Sequence, residues 1–332
     1  MMRILFFLFF LFSFVSCGDK TYLPQSTGKA GELLVVIDNK YLETEAGIGI
    51  RNIFGQYQTG LPQEEAVFKV IPFPHNSFSK ILQRHKNIFV ADISSKHTKS
   101  SISVKKNVWA ENQLYLNISA PDEAAFADIL MDNREALLNY FQEVELERLA
   151  SAIKKAENKP LQKQLQDNHQ INISIPKGYT IVMDSLNFVW LKYDTEKSAA
   201  GNMHQVNRNL LLYYQDYSNE NMFNLDQLLN SQDSVTKKYV QGPTPGSYMK
   251  TVEEYPADKK PFNLKGNYAV QTRGLWHLHG DFMGGPFLNY SVVDTTNNKI
   301  ISMVSFLYAP NFDKREYLRE MEAIMSTIRV NE

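Results

Sequence analysis

The chain has 332 residues, with 35 Lys and Arg against 36 Asp and Glu, 43% hydrophobic residues and one cysteine. That is long enough for two ordinary domains and apolar enough to bury a core, which excludes a disordered chain. A balanced charge without a basic block lacks the electrostatic footprint of a nucleic-acid binder, so no nucleic-acid partner is expected.

Residues 1–16 read as a secretory signal: Arg3, then about a dozen Phe- and Leu-rich positions, then small residues. The apolar run is shorter than the roughly 20 residues that a membrane-spanning helix needs. Phe14-Val15-Ser16-Cys17 resembles a bacterial lipobox, with Phe14 where Leu is more usual. An exported lone thiol is a liability unless capped. Cys17 is therefore the expected lipidation site, and the membrane the first expected partner. Each buried CH2 of an acyl chain contributes about 0.8 kcal/mol, so several chains hold a protein essentially permanently. Residues 17–30 are polar, with Pro24, Ser26 and Gly28, and read as a flexible tether.

The first α+β unit is expected over residues 31–170. A continuous apolar run at 31–38 reads as a buried strand. Ile50, Ile53, Phe54 and Tyr57 recur at helical spacing, and Gly60-Leu61-Pro62 stops that helix. Strands follow at 66–73, 87–93, 101–108 and 113–118, with a short helix around Phe78, Ile81 and Leu82. The longest helix opens at Ser119-Ala120-Pro121 and carries a stripe of Phe126, Ile129, Leu130, Leu137, Phe141 and Val144. Pro160 breaks the pattern, and 162–170 is polar enough for a linker.

The second α+β unit is expected over residues 171–332. Strands are predicted at 172–175, 179–183, 188–193 and 209–214, then a helix at 224–239. The Gly242-Pro243-Thr244-Pro245-Gly246 loop leads to strands at 248–255, 268–276, 288–293 and 300–308. An Asp313-x-x-Glu316 box opens the final helix, whose stripe is Tyr317, Leu318, Met321, Ile324, Met325 and Ile328. The expected fold class is thus α+β: two domains with mixed or antiparallel sheets, each carrying helices on its sheet.

The blocks at 26–38 (STGKAGELLVVID), 60–63 (GLPQ), 84–90 (RHKNIFV), 242–249 (GPTPGSYM) and 273–287 (RGLW…DFMGGPF) together resemble an uncharacterised lipoprotein family of Bacteroidetes-type Gram-negative bacteria. The resemblance implies an envelope lipoprotein with a domain of unknown function, and no particular activity. Gly18 after Cys17 does not resemble the inner-membrane retention signal, which favours the outer membrane. The following residues lack an acidic cluster resembling a surface-export signal, which favours the periplasmic leaflet, with the inner membrane and cell surface as alternatives. An envelope protein or ligand is then the second expected partner, of unknown identity.

The densest run of unusual residues is Arg273 to Phe287. His277, His279 and Asp281 alternate and on a strand would share one face, as two imidazoles and a carboxylate could around a metal ion, with distant His204 as a further ligand. The alternative is a solvent-facing strand with Trp276 and Leu278 turned inward. Gly284-Gly285-Pro286 reads as a corner, either purely structural or leaving bare backbone for a ligand. Arg273, Trp276, Asp281, Gly284 and Gly285 are the candidate recognition surface, since Trp and Arg are the usual anchors of one.

Other patterns lack their partners. Gly47-Ile48-Gly49-Ile50-Arg51-Asn52 has Asn where a dinucleotide loop needs its third glycine. Three scattered Ser-x-x-Lys hits come without Lys-Thr-Gly or Ser-Asp-Asn, and Glu253-Glu254 would face opposite sides of a strand. The reading is a non-catalytic, periplasm-facing lipoprotein without cofactor, a binding or scaffolding module. Its alternative is a metal-dependent hydrolase using His277, His279 and Asp281.

Overall fold

A computed structural model describes residues 22–330, so the signal segment and Cys17 lie outside the described residues. Two sheets carry the fold, in an α+β arrangement of two domains. The first is built from β1 (Glu32–Val36), helix α1 (Glu45–Phe54), β2 (Lys69–Phe73), β3 (Asn87–Ile93), β4 (Ser101–Lys106) and β5 (Leu114–Ala120). Strand order is β2-β1-β3-β5-β4, parallel except for β4, which makes the sheet mixed. Leu33, Val35, Phe89, Leu116 and Ile118 on one face pack against helices α1, α2 (Glu123–Asp132) and α3 (Arg134–Lys155). The other face packs Leu34, Val36, Ile88 and Val90 under Trp109, Phe78 and Leu82.

Several local expectations change. The stretch around Phe78 forms 3-10 turns at His75–Ser77 and Leu82–Arg84 instead of a helix, because its apolar residues span too few positions for a stable α-turn. The long helix is two, divided at Asn133; its first part is capped by Asp122, whose carboxylate accepts from the Ala125 N–H at 2.9 Å. The tether is not free throughout. Thr27 N–H donates to Arg84 O, Lys86 N–H to Thr27 O and Glu111 N–H to Pro24 O, so residues 24–27 are strapped along the first domain.

After α3 comes a helix where a linker was expected: α4 (Lys159–His169). Asn158 caps it, and Pro160 sits in the first turn, where a missing N–H costs nothing. Its Leu161 and Leu165 belong to the core of the second sheet, together with Ile153 of α3.

The second sheet comprises β6 (Thr180–Ser185), β7 (Phe188–Ala199), β8 (Asn202–Asp216), then, after helix α5 (Leu225–Tyr239), β9 (Tyr248–Thr251), β10 (Asp258–Leu264), β11 (Asn267–His279), β12 (Gly284–Asp294) and β13 (Lys299–Tyr308). Its order is β10-β11-β12-β13-β8-β7-β6, antiparallel throughout, with β9 pairing the end of β11. Residues 172–175 make only an isolated bridge from Asn172 to Arg329, and β10 was not anticipated at all. Both faces are covered. Leu191, Leu212, Leu288 and Met303 meet α4 and the final helix α6 (Arg315–Ser326), while Phe188, Leu211, Trp276 and Phe306 meet α5.

The two domains are joined by residues 60–67. Leu61 packs with Val206, Leu307, Leu318 and Met321 of the second domain. The expected Asp313 box does not form: α6 starts at Arg315, and its N-cap residue is Lys314, which supplies no side-chain cap. Glu65, from the other domain, accepts from Lys314 N–H at 2.6 Å and Arg315 N–H at 2.9 Å, so the helix is capped across the joint. Arg315 and Arg319 donate back to the carbonyls of Ala66 and Val67. Gly31 lies against Arg315 and Arg319, and Gly60 against Arg273, so several resemblance-bearing residues gather here. Glu65→Ala should lower stability by about 0.5–2 kcal/mol, the range for a lost cap. Limited proteolysis checks it: cleavage after residues 60–67 should rise in the variant.

Candidate functional site

The anticipated hairpin is built differently from its reading. Strand β11 ends at His279, and Gly280, at φ +79, turns the chain, so Asp281 leaves the face shared by His277 and His279. Its carboxylate accepts from the Thr244 hydroxyl at 2.7 Å and the Phe282 N–H at 2.6 Å, contacts that hold its pKa below the ordinary value. It braces the Pro-rich loop instead of joining an imidazole pair. His279 lies on the Tyr248 ring, 5.0 Å between centroids. His204 is elsewhere, hydrogen bonded to Asn311. Among the described residues, no three His, Cys, Asp or Glu side chains gather as a metal would need.

The candidate recognition surface also turns inward. Trp276 is 3% exposed, packs on Phe306 and donates from Nε1 to Leu307 O at 3.2 Å. Arg273 reaches Glu322 of α6 at 2.7 Å, and Glu322 also accepts from Gln271 and Tyr290. Burial works to raise the Glu322 pKa, but Arg273, the Tyr290 hydroxyl and Arg319 pull it further the other way, leaving it below the ordinary carboxylate value. Gly284 and Gly285 are the start of β12 rather than a corner; the turn lies at 280–283. A Cβ on Gly285 would stand 2.0 Å from the Leu307 carbonyl oxygen, so this glycine serves close strand packing.

A site the sequence did not point to lies at one end of the second sheet, a cleft of about 480 Å³. It is lined by His169 at the end of α4, Leu186 and Asn187 in the β6–β7 turn, Tyr214 of β8 and Lys299 of β13, among others. The His169 side chain is 2% exposed and donates from Nε2 to Asp184 at 2.7 Å. Burial works to raise the Asp184 pKa, but His169, Asn168 and Gln164 all donate to it and hold it below the ordinary value. The His169 and Tyr214 rings stack 6.0 Å apart at 7°. Burial pushes the Tyr214 phenol well above its usual range, so it stays a neutral donor.

His169 Nδ1 and the Tyr214 hydroxyl both lack a hydrogen-bond partner among the described residues. An unsatisfied buried polar atom costs about 1–3 kcal/mol, so two of them behind one cleft make this a costly place in the fold. Both atoms are closed to solvent, which removes His169 from the role of a base meeting substrate in this conformation. Helix α4 was hidden by its polar composition. The available signal was Asn158 followed by Pro160, Leu161 and Leu165, a capped start with an i, i+4 apolar pair.

Comparison with known proteins gives families and loose structural likenesses. Residues 158–327 match the family described as "Domain of unknown function (DUF4837)", and residues 26–154 that described as "Domain of unknown function (DUF8532)". No curated protein matches the chain. Among solved structures, the Saccharomyces cerevisiae Ran-binding protein Mog1p is similar at 8% identity and TM-score 0.32, over 48% of this chain and 89% of that one. LpqN of Mycobacterium tuberculosis, described as involved in cell envelope biogenesis, is similar at 14% identity and TM-score 0.24, over 47% and 79%. A Bacteroides thetaiotaomicron VPI-5482 protein is similar at 12% and 0.20, over 49% and 45%. Likenesses this loose transfer no function.

Proposed function

We propose that this chain, which belongs to the DUF4837 family, is a lipid-anchored, periplasm-facing module of the cell envelope that binds or scaffolds a partner without catalysing a reaction. The observation that carries the reading is the strap at residues 24–27. From Cys17 to Pro24 is seven residue steps, at most about 25 Å of extended chain. A lipid on Cys17 therefore holds the first domain close to its bilayer, and the cross-domain cap at Glu65 carries the second domain with it. Among the described residues no helix is long and apolar enough to cross a membrane, so in this reading the attachment is the lipid. Gly18 after Cys17 supports the outer membrane, and the lack of an acidic cluster in the residues that follow supports its periplasmic leaflet. The cleft beside His169 and Tyr214 supports a binding role by its volume and its polar lining, which includes Asn187, Asn297 and Lys299.

Cys17→Ser should move the protein from the membrane to the soluble fraction, or stop its maturation. Mass spectrometry of the native amino terminus should find a diacylated or triacylated Cys17. An unmodified thiol there, or unchanged fractionation of the variant, would end the reading. Crosslinking in native membranes followed by copurification would then name the partner.

A further inference from the structure

A second cleft, of about 530 Å³, opens beside the β10–β11 turn. Its wall is aromatic: Tyr217 follows β8, Phe223 closes the 3-10 turn before α5, and Tyr268 begins β11. Phe223 and Tyr268 meet nearly edge-on, at 84° with centroids 5.2 Å apart, and Tyr217 and Phe223 are tilted by 53°. The rings are therefore not coplanar, and together they give the cleft a box-like wall of differently oriented aromatic groups. Among the described residues, the one charged side chain lining the box is Glu220. The nearest cation along the chain, Lys265, is drawn away, donating to the carbonyls of Thr327 at 2.7 Å and Ile328 at 3.0 Å. Tyr268 is 50% exposed, so the box is open to an incoming group.

We infer that this cleft binds a small organic cation, an alkylammonium group held against the faces of Tyr217 and Tyr268 with Glu220 as its counter-charge. Ring faces carry negative potential and attract cations, more strongly so where water is displaced. The cleft volume of about 530 Å³ lies within the range of small-molecule sites, roughly 300–1,000 Å³. The site is independent of the His169 cleft and does not require the lipid anchor.

The test is saturation-transfer NMR of tetramethylammonium on the full-length protein in polyoxyethylene-ether micelles, with glucose as the uncharged comparison. Tetramethylammonium should bind and glucose should not. Tyr268→Ala should weaken binding about tenfold, the scale of one cation–π contact. Glu220→Gln, an exposed and conservative change, should weaken it severalfold with an unchanged circular-dichroism spectrum. Saturation by glucose alone, or cation binding that Glu220→Gln leaves untouched, would overturn the inference.

Discussion

Glu322→Ala should destabilise the folded chain by about 3–5 kcal/mol, the cost of removing one partner from a buried ion pair. Arg273 and Glu322 are 11% and 14% exposed in their side chains, so little water can replace the lost carboxylate. Tyr290 and Gln271 lose their acceptor as well. The damage comes from the stranded guanidinium, so the double change Arg273→Met with Glu322→Leu should recover most of the loss. A denaturant midpoint for each variant checks the ordering; equal midpoints for Glu322→Ala and the double variant would refute it.

The same carboxylate sets a pH dependence. Its folded pKa lies below the ordinary value of 4.5, so the unfolded chain binds its proton more readily. The stability it contributes is present above pH 4.5 and is lost as pH falls through the folded value. Glu322→Ala should therefore flatten the acid limb of the stability profile, which thermal unfolding across pH would measure.

Gly285→Ala should cost about 3 kcal/mol or more, at the upper end of overpacking effects. The added Cβ would meet a main-chain oxygen of β13 at 2.0 Å, and a carbonyl held within a sheet cannot swing aside as a side-chain tip can. Gly284→Ala meets the Trp276 carbonyl oxygen at 2.9 Å, a lesser conflict, and should cost less. Gly201, with φ +81 and nothing within 4 Å of a built Cβ, supplies the comparison: Gly201→Ala carries only the backbone penalty of a left-handed position. If Gly285→Ala were as stable as the parent, these glycines would have to be explained by something other than packing.

Much of the architecture is legible along the chain because it is local. Buried strands such as β3 and β13 announce themselves as continuous apolar runs, and α5 and α6 as stripes recurring at helical spacing. Asp122 and Asn158 are caps because a short side-chain oxygen reaches an N–H three residues on, which requires nothing from elsewhere in the fold. The same locality misleads at Asp313, where a plausible capping sequence is displaced by a carboxylate 248 positions away, Glu65.

Which side chains are available to a ligand was decided in three dimensions. Arg273 and Trp276 have the composition of a recognition surface, yet α6 and Phe306 cover them, since this part of β11 is packed over on both faces. The groups that line the clefts, His169 with Tyr214 and Tyr217 with Tyr268, sit on separate strands, turns and helix ends that adjoin only when the antiparallel sheet has formed. Sequence alone thus determined the secondary structure of most segments and the motif at Cys17, both properties of neighbouring residues. Tertiary packing decided exposure, the cross-domain cap and the two clefts, because each depends on contacts between residues far apart along the backbone.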